Sequence, residues 1–299
     1  MKTVCVLLSA YNGEKYISEQ IDSILAQEGV DVHLIVRDDG STDSTLTILQ
    51  SYKEKGKLDF IVGENIGWKK SFMELLFKAS PADYYAFSDQ DDYWLPEKLQ
   101  VAVEQLETMG KGPNLYCSNT YYWRQGEPVS PYRTDKVPTA KDYILIWILT
   151  QGCTFVFTKQ LLSQIITARP SIDTPHDVLV MRAAAMMGDV YYDSTPHIWY
   201  RQHGDNTVGA TKGLFAHIKR IFREYYHVDN DNLLSRQIKD LYDCYESYMS
   251  EDCKQLCLLI INYRHGFKNY LRLLLSRRFV APKPLTTLGL KYRILLKKL

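Results

Sequence analysis

Blocks of apolar residues alternate with polar turns along the first part of the chain. Residues 4–8 form an uninterrupted apolar run that ends at a polar turn, which predicts a strand buried on both faces. Ile17, Ile21 and Ile24 recur at helical spacing, and residues 32–36 form a second apolar run. The chain therefore begins with a predicted strand, helix and strand.

Two further cycles of helix and strand follow. They comprise, in order, a helix from N-cap residues 41–44 to residue 55, a strand at 60–62, a turn at 65–67, a helix at 68–79 and a strand at 84–87. Strands that alternate with helices in this way predict a mostly parallel sheet with helices on both sides. Ligands of such sheets bind at the carboxyl ends of the strands, where the polar turns of this chain lie.

The periodicity is weaker beyond residue 96. It predicts a helix at 96–109, a strand at 115–121, a polar loop at 124–141, a helix at 142–149 and a strand at 154–157. From residue 213 the pattern is helical and predicts no strand. We therefore expect an α/β domain at 1–212 and a helical extension at 213–299.

Composition limits the class of protein. The 299 residues are 45% hydrophobic, which is ordinary for a globular chain with a large core. The six cysteines form no C-x-x-C pair, so we expect a reducing, cytoplasmic environment and neither a disulfide framework nor a structural zinc site. The sequence has no recognisable signal peptide and no apolar stretch of membrane-spanning length.

The net charge of +1 conceals a strong asymmetry. Residues 254–299 contain eleven Lys or Arg and no Asp or Glu, whereas 25 basic and 35 acidic residues precede them. Leucines lie beside arginines at 271–278 and beside lysines at 294–298, a mixture typical of helices on membrane surfaces. We expect this segment to bind anionic lipid and place the protein on the inner face of the cell membrane. The alternative is a packing or homodimerisation element whose lysines face water.

Two acidic turns are the first candidates for chemistry. Asp89 and Asp91 can present oxygens to one Mg²⁺ or Mn²⁺, whose other positions diphosphate oxygens fill. Asp38 and Asp39 end another predicted strand and can face the same crevice, where several acids require a positive partner. A carboxylate there can also accept the imide N–H of uracil or thymine. Two alternatives stay open: a solvated acidic turn that caps the next helix, and an Asp38 that only accepts backbone amides.

These turns belong to a longer series of motifs. The chain resembles the inverting family 2 glycosyltransferases of GT-A fold in the order and spacing of Leu8-Ser9-Ala10-Tyr11-Asn12-Gly13-Glu14, Asp38-Asp39-Gly40-Ser41, Asn65-Ile66-Gly67 and Asp89-Gln90-Asp91-Asp92-Tyr93-Trp94. The resemblance is clear over residues 3–100 and extends to residue 210. Within the family, bacterial rhamnosyltransferase-like enzymes resemble the chain at Gly152-Cys153-Thr154 and Arg201-Gln202-His203.

The resemblance assigns roles to individual residues. It implies that the nucleotide-sugar donor contacts Ser9, Tyr11, Glu14, Asp39, Gly67, Asp89 and Gln90, with Tyr11, Glu14 and Asp39 around the nucleoside. It also implies a Mg²⁺ or Mn²⁺ ion held by Asp91 and Asp89 and joined by His203. Asp177, just before an apolar helix, matches the catalytic base, and its alternative role is a helix cap. Ser71 departs from the pattern, because relatives often have Asn there.

The implied reaction transfers a sugar with inversion from a dTDP- or UDP-sugar to a hydroxyl of a lipid-linked surface polysaccharide precursor. Such a displacement requires neutralisation of a departing diphosphate and deprotonation of an incoming hydroxyl on opposite faces of the sugar. We expect L-rhamnose from dTDP-rhamnose, with a UDP-hexose donor or an inactive scaffold as alternatives.

Two other classes are excluded or disfavoured by the sequence. The first turn reads Ser9-Ala10-Tyr11-Asn12-Gly13 and lacks the glycine pattern of nicotinamide-dependent oxidoreductases. The body of the chain is acidic and contains no recognised nucleic-acid-binding motif, so we expect no nucleic-acid partner.

Overall fold

A computed structural model describes residues 1–124, 127–132, 140–170, 174–202, 233–278 and 284–299. The described residues form two compact units. The first comprises those within 1–136, 150–184 and 188–202, and the second those within 137–149, 185–187 and 203–299. The domain boundary predicted at residue 212 lies outside the described residues.

The first unit is built on one sheet, to which the described residues contribute nine strands. The strands are β1 (Lys2–Ala10), β2 (Val30–Asp38), β3 (Asp59–Val62), β4 (Tyr84–Ser88), β5 (Tyr93–Trp94), β6 (Leu115–Arg124), β7 (Glu127–Pro131), β8 (Val156–Thr158) and β9 (Val190–Arg201). Their order is β3-β2-β1-β4-β8-β6-β9-β5, and β7 pairs with β6. Most paired residues lie in the parallel ladders of β1 with β2 and β4, of β2 with β3, and of β6 with β9.

Helices follow the strands of this sheet, and the first four lie where the periodicity predicts. They are α1 (Ile17–Leu25), α2 (Thr45–Glu54), α3 (Trp68–Lys78), α4 (Lys98–Thr108), α6 (Lys159–Ala168) and α7 (His176–Met187), the last of which continues into the second unit. A short 3₁₀ turn at Gly152–Thr154 precedes β8. The predicted α/β class with a mostly parallel sheet is therefore confirmed.

The central strand β1 is buried on both faces. Its residues 4–8 are fully buried between β2 and β4, because an apolar run without alternation suits a strand covered on both sides. In the parallel registers Ala10 pairs with Asp38 and Leu8 with Ser88. The carboxyl ends of β1, β2 and β4 consequently lie side by side at one edge of the sheet.

Two parts of the sheet differ from the sequence prediction. The predicted polar loop at 124–141 contains strand β7, which pairs antiparallel with β6. No strand was predicted over β9, although aromatic and β-branched residues favour one. Pro196 interrupts that pattern, and the register with β6 shifts at this position because proline cannot donate to a ladder.

The second unit is helical in its described residues. Its helices are α5 (Lys141–Ile146), α8 (Leu233–Tyr245), α9 (Glu251–Asn262), α10 (Phe267–Leu275) and α11 (Pro284–Leu295). Arg278 pairs with Asp142 of α5 and, at 2.8 Å, with Asp252 of α9. Among the described helices, none has the length and apolar character that crossing a bilayer requires.

Candidate functional site

The loops that follow β1 and β2 are joined by hydrogen bonds. The Asn12 amide donates to Ser41 Oγ at 2.9 Å, and the Thr42 amide donates to Asn12 Oδ1 at 2.8 Å. The Gly13 amide donates to Thr45 Oγ1 at 2.8 Å. Asn12 adopts a left-handed backbone with φ of 48°, which asparagine tolerates better than most residues. The two predicted turns therefore form one rigid wall at the edge of the sheet.

Glu14 belongs to the same wall. Its Oε2 accepts the Ser44 amide at 2.9 Å, while Asp43 Oδ2 accepts the Glu14 amide at 3.0 Å. Asp43 Oδ1 also accepts the Thr45 amide at the start of α2. Helix α2 is thus capped by two carboxylates, as the dipole at a helix N-terminus favours. Glu14, predicted to contact the nucleoside, has a structural partner in Ser44.

Gln90 ties the acidic loop to the first loop. Its Oε1 accepts the Tyr11 amide at 2.8 Å, and its Nε2 donates to the Tyr11 carbonyl at 3.0 Å. A Cβ at Gly13 would meet Gln90 Oε1 at 2.5 Å, so a larger residue there would displace the Gln90 amide from these bonds. The Tyr11 ring remains 45% exposed beside these bonds. Gln90 therefore holds Tyr11 in place, and the exposed ring of Tyr11 faces solvent at the predicted donor site.

Asp39 is a buried anchor at the end of β2. Its Oδ1 accepts the Ile66 amide and Arg37 Nη1, and its Oδ2 accepts the Gly67 amide at 2.9 Å. Gly67 has φ of 81°, a conformation that favours glycine. Asp39 therefore fixes the Asn65-Ile66-Gly67 turn. Asp38, by contrast, accepts the amides of residues 40 and 41, which is the structural role left open from the sequence.

Ser9 and Ser71 meet beneath this turn. Their hydroxyl oxygens are 2.6 Å apart, and Arg37 Nη1 donates to Ser71 Oγ at 3.2 Å. Arg37 also pairs with Glu74 at 2.6 Å. Ser71, which departs from the family pattern, thus forms a partly buried hydrogen bond with Ser9, a residue predicted to contact the donor.

The acidic loop after β4 concentrates negative charge. Ligand atoms of Asp89, Asp92 and Cys153 all lie within 4.8 Å of one another, and Asp91 is between the two acids in sequence. Burial raises the pKa of Asp89 to about 7, and the charges of Asp91 and Asp177 add to the shift. Burial followed by the charges of Asp91 and Asp89 also raises the pKa of Asp92.

A divalent cation fits this charge distribution. Asp92 Oδ2 is buried and accepts no hydrogen bond from the described residues. Carboxylates that repel one another in a buried site gain stability when a cation joins them, and carboxylate oxygens suit Mg²⁺ and Mn²⁺. The roles of Asp89 and Asp91 as ligands remain predictions, as does the role of His203, which lies outside the described residues.

Lys98 is a buried amine beside the acidic loop, close enough for the charge of Asp92 to act on it. It is fully buried, and its Nζ lies 3.5 Å from the centroid of the Trp94 ring. Burial lowers the pKa of Lys98 to about 7, and the charges of Cys153 and Asp92 oppose that shift. Lys98 is not among the residues that the sequence motifs single out. Its signal was present, because Lys98 shares the apolar face of α4 with Leu99 and Ala102.

Arg201 at the end of β9 is the main anchor of the acidic loop. Its Nε donates to the Asp91 carbonyl at 2.7 Å, and its amide donates to Asp92 Oδ1 at 3.1 Å. The guanidinium lies over the Trp123 ring at 3.7 Å and pairs with Glu19 of α1. A planar cation that both stacks and donates in fixed directions restricts the position of the loop.

Asp177 lies at the start of α7, close enough to Asp89 for its charge to raise the pKa of that carboxyl. Its Oδ1 accepts the Val178 amide at 2.8 Å, so it also makes the helix-end contact considered from the sequence. The preceding His176 is buried, with its ring stacked 3.9 Å from Phe72. Burial lowers the pKa of His176 to about 4, so its ring is neutral near pH 7.

Gly152 limits the space around this pair. A Cβ at Gly152 would lie 2.9 Å from His176 Nε2 and 3.0 Å from Asp177 Cβ. The aromatic rings of Phe72 and Phe87 enclose His176 and leave it little freedom to move away. Gly152 therefore sets how closely Asp177 approaches the acidic loop.

We expect Gly152→Ala to displace Asp177 while leaving the loops after β1 and β2 intact. Overpacking of this kind lowers the free energy of unfolding by about 1–3 kcal/mol. If Asp177 is the base that the resemblance implies, the rate of sugar transfer should fall further than the affinity for donor, because displacement of a base affects chemistry more than binding. Urea unfolding and initial rates at saturating donor measure the two effects. An unchanged transfer rate in a folded variant would contradict this role for Gly152.

Comparison with known proteins confirms the family. The family model "Glycosyl transferase family 2" matches residues 5–162. The dTDP-rhamnosyl transferase RfbG of Shigella flexneri is 31% identical over 227 residues, which span 72% of this chain and 78% of that protein.

Solved structures share the fold at low identity. S. aureus TarS 1–349 in complex with UDP-GlcNAc is 17% identical, with a TM-score of 0.57 over 98% of this chain and 81% of that chain. The mannosyltransferase PcManGT from Pyrobaculum calidifontis, in complex with GDP-Man and Mn²⁺, is 17% identical, with a TM-score of 0.53 over 99% and 86% of the two chains. These likenesses confirm the predicted GT-A fold. The matched motifs and the strand-end loops together show that this chain belongs to glycosyl transferase family 2.

Proposed function

We propose that the protein is a metal-dependent inverting glycosyltransferase that uses dTDP-L-rhamnose as its donor. The observation that supports this most strongly is the cluster of half-buried Asp89 with buried Asp92 and Cys153, beside Asp91, at the carboxyl end of β4. Its excess negative charge would attract a divalent cation, and that cation would in turn bind the diphosphate of the donor. The likeness to a dTDP-rhamnosyl transferase over most of the chain supports the choice of donor.

The loops after β1 and β2 bind the donor in this proposal. The exposed Tyr11 ring contacts the base, while Asp39 keeps the turn at Gly67 in place beneath the nucleoside. Gln90 holds the backbone of Tyr11, so that this wall and the acidic loop form one preorganised site. Preorganisation matters because the reacting groups must be positioned before the bond breaks.

Asp177 is the proposed base. It takes the proton of the acceptor hydroxyl as that oxygen attacks the anomeric carbon, while the bond to the donor diphosphate breaks on the opposite face. Asp91 and Asp89 would hold the Mg²⁺ or Mn²⁺ ion, which when bound neutralises charge on the departing diphosphate. Arg201 keeps the acidic loop in position through the Asp91 carbonyl.

The acceptor in this proposal is a hydroxyl of a lipid-linked surface polysaccharide precursor, with the protein held peripherally on the membrane. The acid-free segment 254–299 supports a location beside anionic lipid. A UDP-hexose is the alternative donor, and the likeness of the fold to TarS in complex with UDP-GlcNAc favours testing it.

Thermal unfolding with candidate donors tests the proposal. At a donor concentration about 100-fold above Kd, mass action should raise Tm by about 5 °C or more. The rise should require Mn²⁺ or Mg²⁺ and should be lost with EDTA. dTDP-rhamnose, UDP-glucose, UDP-GlcNAc and free rhamnose are compared at equal concentration. If no nucleotide sugar changes Tm with either metal, the proposed function is wrong.

A further inference from the structure

Helix α10 of the second unit has two apolar sides. Leu273 is fully buried within the unit, whereas Phe267 and Leu275 are 75% and 74% exposed. Leu271 and Leu275 each lie two positions from Leu273, which is about 160° around a helix. The side of α10 that faces away from its own core is therefore also apolar.

Helix α11 repeats this arrangement. Leu290 and Ile294 are buried, while Leu288 and Leu295 are 59% and 52% exposed. Leu288 and the exposed Tyr292 again lie two positions on either side of the buried Leu290. Single exposed leucines are common on protein surfaces. Several exposed apolar residues on two neighbouring helices instead indicate a binding surface.

Basic residues in this region divide into two groups. One group is structural: Arg278 pairs with Asp142 and Asp252, and Lys291 Nζ donates to the carbonyls of Leu274 and Ser276 at 2.6 and 2.8 Å. Lys291 thereby caps the end of α10 and links it to α11. These two side chains stabilise the unit, as does Arg264, which donates to the Lys297 carbonyl. The candidates for binding a partner are basic residues with exposed side chains.

The second group is exposed. Lys268 and Arg272 lie on α10 among its outward leucines, and Arg277 and Lys297 are exposed nearby in the chain. Residues 254–299 contain no acidic side chain to offset them. The outward faces therefore combine apolar contact with positive charge, which is the requirement for helices that lie in a lipid headgroup region.

The geometry points to a membrane-docking surface formed by Phe267, Leu271 and Leu275 of α10 and by Leu288, Tyr292 and Leu295 of α11, with an anionic bilayer as its partner. A second copy fits less well, because a two-fold interface over this surface would gather Lys268 and Arg272 of both copies with no acidic residue of 254–299 to offset them. Through this surface the proposed enzyme would reach its lipid-linked acceptor. Only that use of the surface rests on the proposed function.

Vesicle sedimentation tests the surface. Wild-type protein should pellet with vesicles of phosphatidylglycerol and phosphatidylcholine and not with phosphatidylcholine alone. The double variant Phe267→Ser, Leu275→Ser should bind the anionic vesicles at least about tenfold more weakly. The variant Lys268→Gln, Arg272→Gln should lose about fivefold per residue, and this loss should shrink at high salt.

A matched control is available on α9, a helix that contributes no residue to the proposed surface, where Leu258 is 39% exposed. Leu258→Ser should bind like the wild type, and all variants should keep the wild-type Tm. Equal binding to neutral and anionic vesicles, or wild-type binding by the Phe267, Leu275 variant, would overturn the inference. So would a dimer, seen by sedimentation velocity, that the variant loses while vesicle binding persists.

The two proposals fail separately in these experiments. Vesicle binding without any donor-induced rise in Tm would leave the membrane surface intact and remove the glycosyl-transfer proposal. A donor-induced rise in Tm without vesicle binding would do the reverse.

Discussion

Asp91→Asn should lower the rate of sugar transfer at least about a hundredfold, because charge stabilisation by a bound cation contributes several kcal/mol. The amide keeps the shape of the side chain and removes its charge. The Mn²⁺-dependent part of the donor-induced rise in Tm should disappear, while the Tm of the protein without ligand should change little. Initial rates and thermal unfolding, each with and without Mn²⁺, measure these effects.

The control for this variant is Asp59→Asn, which changes an exposed carboxylate at the start of β3. It should leave both the rate and the metal response at wild-type values. If Asp91→Asn retained a full response to Mn²⁺, the cation would have to be held without Asp91. The neighbouring group of Asp89, Asp92 and Cys153 would then be the set to test.

Asp177→Asn should lower the transfer rate by about 10²–10⁴-fold, the usual range for loss of a general base. Donor affinity and its dependence on Mn²⁺ should persist, because Asp177 lies on α7 and not on the loops after β1 and β2. Calorimetric titration of donor and measurement of product formation separate the two effects. Loss of donor binding with normal transfer at saturating donor would mean that the assigned roles of Asp91 and Asp177 are exchanged.

The strand-end loops could be predicted from the sequence because their signals are local. The apolar run at 4–8 requires burial on both faces, and the turns after β1, β2 and β4 then fall at one edge of the sheet. The family motifs occur in these turns. The positions of Tyr11, Asp39 and Asp89 in the fold followed from this pattern alone.

The interactions between the loops could not be predicted in the same way. Gln90 is predicted to contact the donor, and its side-chain amide also binds the backbone of Tyr11, 79 positions earlier. Asp39 likewise contacts amides 27 and 28 positions away. The periodicity of a sequence does not show which distant amide a side chain contacts. From the sequence alone, residues that shape a site therefore cannot be told apart from residues that bind its ligand.

The basic segment shows the same limit. Its composition predicted a positively charged surface, but Arg278 pairs with Asp142, 136 positions earlier in the chain. Lys291 donates to carbonyls at the end of α10. A count of charges cannot separate such structural cations from exposed ones, whereas burial and hydrogen bonding can.

Arg201 connects three parts of the first unit through one side chain: Glu19 on α1, the Asp91 carbonyl in the acidic loop, and the end of β9 itself. A displacement of the end of β9 would therefore shift the carbonyl of Asp91 or break its bond to the guanidinium. The same bond acts in both directions, because the acidic loop leads directly into β5, the strand that pairs with β9. A change in the position of the acidic loop would thus be transmitted to the end of β9.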